Sequence, residues 1–237
     1  MQTPQAVDLP LHKHPKPHKE LARRYKTYYA DRDYRLAAWG SFALFLASIG
    51  ASLLAGHFAN INATNPAADI ILSNTPALNV DWFFVVGTAI FTLYLGGISL
   101  AHPRRIPFTL CALAVFFFIR AGFISMTHIA PFPIRATMDF GITARHYFFG
   151  SDLFFSGHTG APFLMALIFW ESRALRYIFL AWSIFFAAVV LLGHLHYTID
   201  VASAFFITYS IFHIAEWAFP ELRELFYSDE EPDELMP

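Results

Sequence analysis

Two short polar clusters interrupt an otherwise apolar chain, and both carry residues able to do chemistry. The first reads Asp152-Leu153-Phe154-Phe155-Ser156-Gly157-His158-Thr159 and the second His194-Leu195-His196-Tyr197-Thr198-Ile199-Asp200. His196 and Asp200 are four apart, so at a helix start they share a face, where the carboxylate holds the imidazole in one tautomer and stabilises its charged form. With His158 facing them the set is sufficient for nucleophilic catalysis, one imidazole attacking and the other serving as general acid. Asp200 opens an apolar run, where a carboxylate costs about 2.5 to 3.5 kcal/mol at full depth, and a charge kept at such a cost marks function by default. Isolated interfacial histidines are ordinary, and the chain has 11; the trio is what stands out.

The elements that must position these groups follow from composition. With 56% hydrophobic and 14% charged residues and a mean hydropathy of +0.45, the chain reads as an all-α integral membrane protein. A span needs about 20 apolar residues. Six segments answer to that, at 36–59, 81–101, 106–127, 155–171, 174–194 and 197–219, the fourth being the shortest and beginning at the polar cluster. A path down segment four and back up segment five brings His158 and His196 to one membrane face. Breaks at Asn65-Pro66, His102-Pro103 and Pro131-Phe132-Pro133 mark loops. Cys111 is the single cysteine, which excludes an intrachain disulfide.

Three regions are expected: a basic tail over 1–35, a six-span domain over 36–219 and an acidic tail over 220–237. The first 35 residues carry eight Lys and Arg. Residues 20–35 place Leu21, Tyr25, Tyr28 and Tyr29 among Arg23, Arg24, Lys26 and Arg32, the composition either of a helix lying on an anionic membrane surface or of a solvated basic tail. The acidic tail is expected to be solvated. No cleavable signal peptide is evident. Basic residues concentrate in the amino-terminal tail, at Arg104 and Arg105, at Arg173 and Arg176, and at Arg223, against Arg135 and Arg145 on the other side. Both termini are therefore expected in the cytoplasm and both clusters on the opposite, periplasmic or lumenal face. Arg120 stands about 21 Å up a core about 30 Å thick, where it either snorkels outward or reaches a phosphate held by the histidines.

Gly150-Ser151-Asp152 with Ser156-Gly157-His158-Thr159, and then His194-Leu195-His196-Tyr197-Thr198-Ile199-Asp200-Val201, resemble the two signature motifs of sphingomyelin synthases and ceramide phosphoethanolamine synthases. These are six-span enzymes of the lipid phosphate phosphatase (PAP2) superfamily that work on the exoplasmic face. Arg104-Arg105, Arg120 and the Pro131-Phe132-Pro133 loop loosely resemble the family's third-span motif. The resemblance covers about residues 80–215. It implies a PAP2-like helical bundle with His158, His196 and Asp200 catalytic, and with Asp152, Ser156, His194 and Tyr197 at the substrate. The wider superfamily's Lys and Arg-Pro motif has no convincing counterpart here, and its Arg six residues before the last histidine is Val190. A positive clamp would then come from Arg120, Arg145, His146 or His194.

The implied reaction is headgroup transfer through a phosphohistidine. A phosphatidylcholine or phosphatidylethanolamine donor would release diacylglycerol, and the phospho-headgroup would pass to ceramide or to water, as in a phospholipase C. No cofactor, metal or nucleic acid is implied; the bacterial inner membrane fits a compact chain, and a homo-oligomer is left open. Two other readings stay open: a phosphatase for lipid phosphates or diphosphates, and a non-catalytic membrane protein holding lipid or haem through paired histidines. Histidine and aspartate are also zinc ligands, but the usual open three-ligand pattern is missing. Rings such as Phe132, Phe140, Tyr147, Phe148 and Phe149 could meet a choline or ethanolamine cation, as could Asp139 or Asp152.

Overall fold

Asp31 divides the basic amino-terminal helix from the membrane part of the chain. Its carboxylate accepts the amides of Asp33 and Tyr34, each at 3.2 Å, and this N-cap separates α1 (Pro17–Ala30) from α2 (Arg32–Ile61). The helix thus starts four residues before the apolar run expected from 36. In the computed structural model residues 17–135 and 152–228 are described, and every regular element among them is helical.

The long helix α2 packs along α4 (Ile106–Met126) through small residues. Ala38, Ser41, Phe45, Ser48, Ser52, Ala55 and Ala59 recur at alternating spacings of three and four, which keeps one stripe facing the partner. Small side chains let the two backbones approach closely. Ala55 and Ala59 accordingly bury against Ala121 and Ile124, Ser52 Oγ donates to the Phe117 carbonyl at 3.2 Å, and Phe45 meets Phe117 edge-on at 6.1 Å.

Around this pair stand α3 (Asp81–Ala101), α5 (Gly157–Ile168), α6 (Arg173–Leu192) and α7 (Thr198–Ala218). The core between them is rich in phenylalanine: Phe108, Phe116, Phe155, Phe179 and Phe186 are fully buried. Gly160 of α5 is one of the places where helices nearly touch. A Cβ there would come within 2.8 Å of Phe116 on α4 and of Thr208 Oγ1 on α7.

Among the described residues five helices are long and apolar enough to cross a membrane, namely α2, α3, α4 with the turn before it, α6 and α7. Their outward faces carry Trp39, Leu54, Leu93, Phe206 and Trp217, as an integral membrane protein requires. The fourth expected span differs. At 12 residues, α5 is about 18 Å long against a core of about 30 Å, so helix length does not carry the six-span count. Ser156 caps α5 at its start, and the Thr159 carbonyl accepts Ser183 Oγ at 2.8 Å beside the middle of α6. The short helix therefore begins inside the bundle, below the end of α6.

The basic end is closed by contacts between distant segments. Tyr25 and Tyr34 donate to the carbonyls of Leu100 and Pro103. The first residues of the expected acidic tail form α8 (Pro220–Tyr227), with Glu221 and Glu224 exposed on it. Phe226 is buried against Phe108 and Phe169, at 5.9 and 5.3 Å, with the Arg105 guanidinium 5.5 Å from its ring. Two large apolar side chains in the tail, Leu222 and Phe226, are four apart and so share one face that docks.

At the other end α6 stops in a Schellman motif. His194 N–H bonds the Leu191 carbonyl at 3.0 Å and Leu195 N–H the Val190 carbonyl at 2.8 Å, with His194 in the left-handed region at φ 53°, a position usually held by glycine. Gly193 is needed just before it, because a Cβ there would stand 2.5 Å from Val80.

Candidate active site

His158 is the second residue of α5, and its ring lies between two phenylalanines. The Phe84 ring is 4.4 Å away and the Phe186 ring 5.7 Å away. Phe84 is three residues into α3 and Phe186 six residues before the end of α6. At 1.5 Å per residue these positions are about 4.5 and 9 Å inside the helix ends, so the histidine is recessed from the ends of both helices. Pro162, within α5, lacks the amide that would bond the His158 carbonyl four residues earlier.

His196 reaches the same place from the connection between α6 and α7. It lines one cavity of about 260 Å³ with His158, Arg120, Asp152, Gly157 and Phe84. Its Nδ1 lies 3.4 Å from Asp200 Oδ2, close enough for an ion pair but without the alignment of a hydrogen bond. Asp200 is buried at the third position of α7, and its Oδ2 also accepts the Tyr197 amide at 2.8 Å. The carboxylate thus closes its own helix start and faces the imidazole at once.

Arg120 is 8% exposed and its guanidinium is shared between cavity and backbone. Nε donates to the Phe155 carbonyl at 2.9 Å, and one terminal nitrogen donates to the Asp152 carbonyl at 2.7 Å. The other stands 3.5 Å from Asp152 Oδ2. Arg120 therefore holds the strand of chain that leads into α5, and it presents positive charge to the cavity beside the α5 amino terminus, which itself favours an anion. Below this polar mouth the wall is apolar, formed by Phe91, Phe117, Ala161 and Pro162 with the Thr88 and Thr92 hydroxyls.

Three other candidates do different work. His194 is 2% exposed. Its Nδ1 faces the Ile134 carbonyl at 2.6 Å and its Nε2 the Thr75 hydroxyl at 3.3 Å, so both ring nitrogens are engaged with loops. The Tyr197 hydroxyl donates to the Ala130 carbonyl at 2.8 Å and accepts the Ala67 amide at 3.1 Å. Ser156 is fully buried as the cap of α5. None of the three lines the cavity. Arg145, His146, Asp139, Phe140, Tyr147, Phe148 and Phe149 lie outside the described residues. Among the described residues there is no cluster of three or more His, Cys, Asp or Glu able to hold a metal.

Sequence reasoning missed the cage of Phe84 and Phe186, the place of Arg135 on the cavity wall, and Asp69. The last had a visible signal, being the sole Asp, Glu, Lys or Arg between Arg35 and Asp81.

No curated protein and no solved structure gives a significant match to this chain. A family model described as PAP2 superfamily C-terminal matches residues 150–217. That segment holds both histidine motifs, and members of the superfamily are generally phosphatases or phosphotransferases. The match makes this part of the chain, which carries His158 and His196 into the cavity, similar to the PAP2 superfamily.

Proposed function

We propose that the protein is a membrane lipid headgroup phosphotransferase of the sphingomyelin synthase type, acting from the face opposite the basic end. The observation that carries this reading is the meeting of His158 and His196 in one recessed cavity, with His196 Nδ1 turned to Asp200. That orientation leaves Nε2 for the substrate. Nε2 attacks the phosphorus of a glycerophospholipid, the bond from phosphorus to the glycerol oxygen breaks, and His158 gives its proton to the departing diacylglycerol. Neutral again as a base, His158 takes the proton of an acceptor hydroxyl, which displaces His196 from phosphorus. Ceramide as acceptor makes the enzyme a synthase; water makes it a phospholipase C. Arg120 stands where charge on the phosphoryl oxygens would develop. The apolar wall below suits the acyl part of a phosphatidylcholine or phosphatidylethanolamine donor.

The placement of basic side chains supports the sidedness. Arg23, Arg24, Arg104, Arg105, Arg173, Arg176 and Arg223 all lie at the end opposite the cavity, which by the positive-inside rule is cytoplasmic. We place the site on the periplasmic or lumenal face, with a bacterial inner membrane as the setting.

A second reading, a PAP2-type phosphatase for lipid phosphates or diphosphates, is favoured by the family match. One experiment separates them. Detergent-purified protein is incubated with phosphatidylcholine, phosphatidylethanolamine or phosphatidic acid, each with and without ceramide, beside the His196→Ala variant, and products are resolved by mass spectrometry. Headgroup-phosphorylated ceramide lost in the variant is the expected result. Diacylglycerol without that product indicates the phospholipase, and release of phosphate from phosphatidic acid alone would replace the proposal with the phosphatase.

A further inference from the structure

The loop between α2 and α3 contributes a buried carboxylate to the start of α7, far from it in sequence. Asp69 is 8% exposed. Its Oδ2 accepts the Thr198 amide at 2.6 Å and its Oδ1 the Thr198 hydroxyl at 2.7 Å. The same Oδ1 accepts the amides of Ile71 and Leu72, at 2.9 and 3.0 Å, which folds the loop around the carboxylate. Thr198 is the first residue of α7, midway between His196 and Asp200.

The start of a helix leaves its first amides without partners inside the helix. Here two carboxylates divide that work. Asp200 takes the Tyr197 amide and Asp69 takes that of Thr198. Without Asp69 the Thr198 amide would lose its carboxylate acceptor two residues from Asp200, and the turn that carries Asp200 would lose the bonds that tie it to the loop.

We propose that Asp69 is a positioning residue for the site: through Thr198 it fixes the turn that aims Asp200 at the His196 imidazole. It touches no substrate. The 62–80 loop is held to the same turn at two more points, through His194 to Thr75 and Tyr197 to Ala67, so residues 194, 197 and 198 anchor the turn while 196 and 200 face the chemistry. The consequence for catalysis rests on the headgroup-transfer reading above; the consequence for the His196 ring does not.

The test reads that ring directly. Carbethoxylation of His196 by diethyl pyrocarbonate, followed by mass spectrometry across pH, gives its protonation midpoint without any substrate. The charged or titratable groups around it are Asp200 on α7, His158 on α5, Arg120 on α4, and Asp152 and Arg135 on the adjoining segments. Thr198→Val deletes the hydroxyl bond yet leaves every one of these charges and Asp69 in place; Asp69→Asn removes the charge and replaces one of the two acceptor oxygens by a donor. Because a misaimed Asp200 stabilises imidazolium less, both variants should move the midpoint down, toward that of Asp200→Asn, whereas Thr198→Ser should leave it where the wild type has it. If lipid is turned over, kcat should fall about 10- to 100-fold with KM little changed. A lowered Tm accompanied by an unchanged midpoint in Thr198→Val and Asp69→Asn would overturn the proposal and leave Asp69 a stabiliser only. Should no lipid be turned over by the wild type, the functional reading fails while the midpoints still decide the role of Asp69.

Discussion

His196 Nδ1 stands 3.4 Å from Asp200 Oδ2, and the same oxygen accepts the Tyr197 amide at 2.8 Å. One carboxylate oxygen therefore serves both the helix start and the imidazole. His196→Ala should abolish turnover, and no phosphorylated enzyme should be trapped from labelled donor. Asp200→Asn should retain the fold but lower kcat. His158→Ala removes the proposed general acid and should cost about 10² to 10⁴ in kcat, with the phosphorylated form still detectable for donors whose leaving group needs no proton. Rapid quench with intact-mass analysis checks all three.

Arg120 makes two charge-assisted bonds to backbone carbonyls on the chain leading into α5. A lysine cannot reproduce that fork. Arg120→Lys should lower Tm in detergent and reduce kcat/KM together. Arg120→Ala should be worse, leaving the carbonyls of Asp152 and Phe155 without these donors, at roughly 1 to 3 kcal/mol for each group left unsatisfied.

Gly160 sits against Phe116 and Thr208. Gly160→Ala should destabilise by about 1 to 3 kcal/mol through overpacking, even though alanine is the better helix former. Paired with Thr208→Ala, part of that loss should return, and a double-mutant cycle on thermal unfolding measures how much.

Asp69 gives stability an acid-side slope. Burial alone would raise its carboxyl, but the bonds from the Leu72 amide, from Thr198 and from the Ile71 amide outweigh it and hold the group below its ordinary value. The folded state thus binds the proton less tightly than the unfolded one. The contribution is complete above the ordinary carboxylate pKa of about 3.9 and is lost as pH falls through the lowered folded value. Melting curves of Asp69→Asn should show less loss of stability over that acid range than those of the wild type.

Tyr197→Phe deletes the hydroxyl that joins Ala130 to Ala67. Each lost bond is worth about 0.5 to 1.5 kcal/mol. Tm should drop, and hydrogen exchange should rise in residues 62–80 and 127–135 before it rises in the helices.

Much of this was decided locally and so could be read from the chain. Apolar runs of membrane length demand helices whatever surrounds them, because unpaired backbone is too costly in lipid. The four-residue spacing of His196 and Asp200 sets their common face, and an arginine deep in an apolar run already marks Arg120. Other features depend on where the rest of the molecule lies. Helix propensity says nothing of α5 stopping at 12 residues beside the middle of α6, yet that stop is what sinks His158 between Phe84 and Phe186. His194 and His196 are two residues apart and chemically alike; only the loops that fold over them make one a tether and leave the other to the cavity. Asp69 and Thr198 are 129 residues apart, and no local pattern joins a loop carboxylate to a distant helix start. The helices, their apolar faces and the residue types at the site are written in the chain, since they follow from periodicity and solvent. The tertiary structure alone decided which of those residues meet, because hydrogen bonds across distant segments are chosen by packing and not by spacing along the chain.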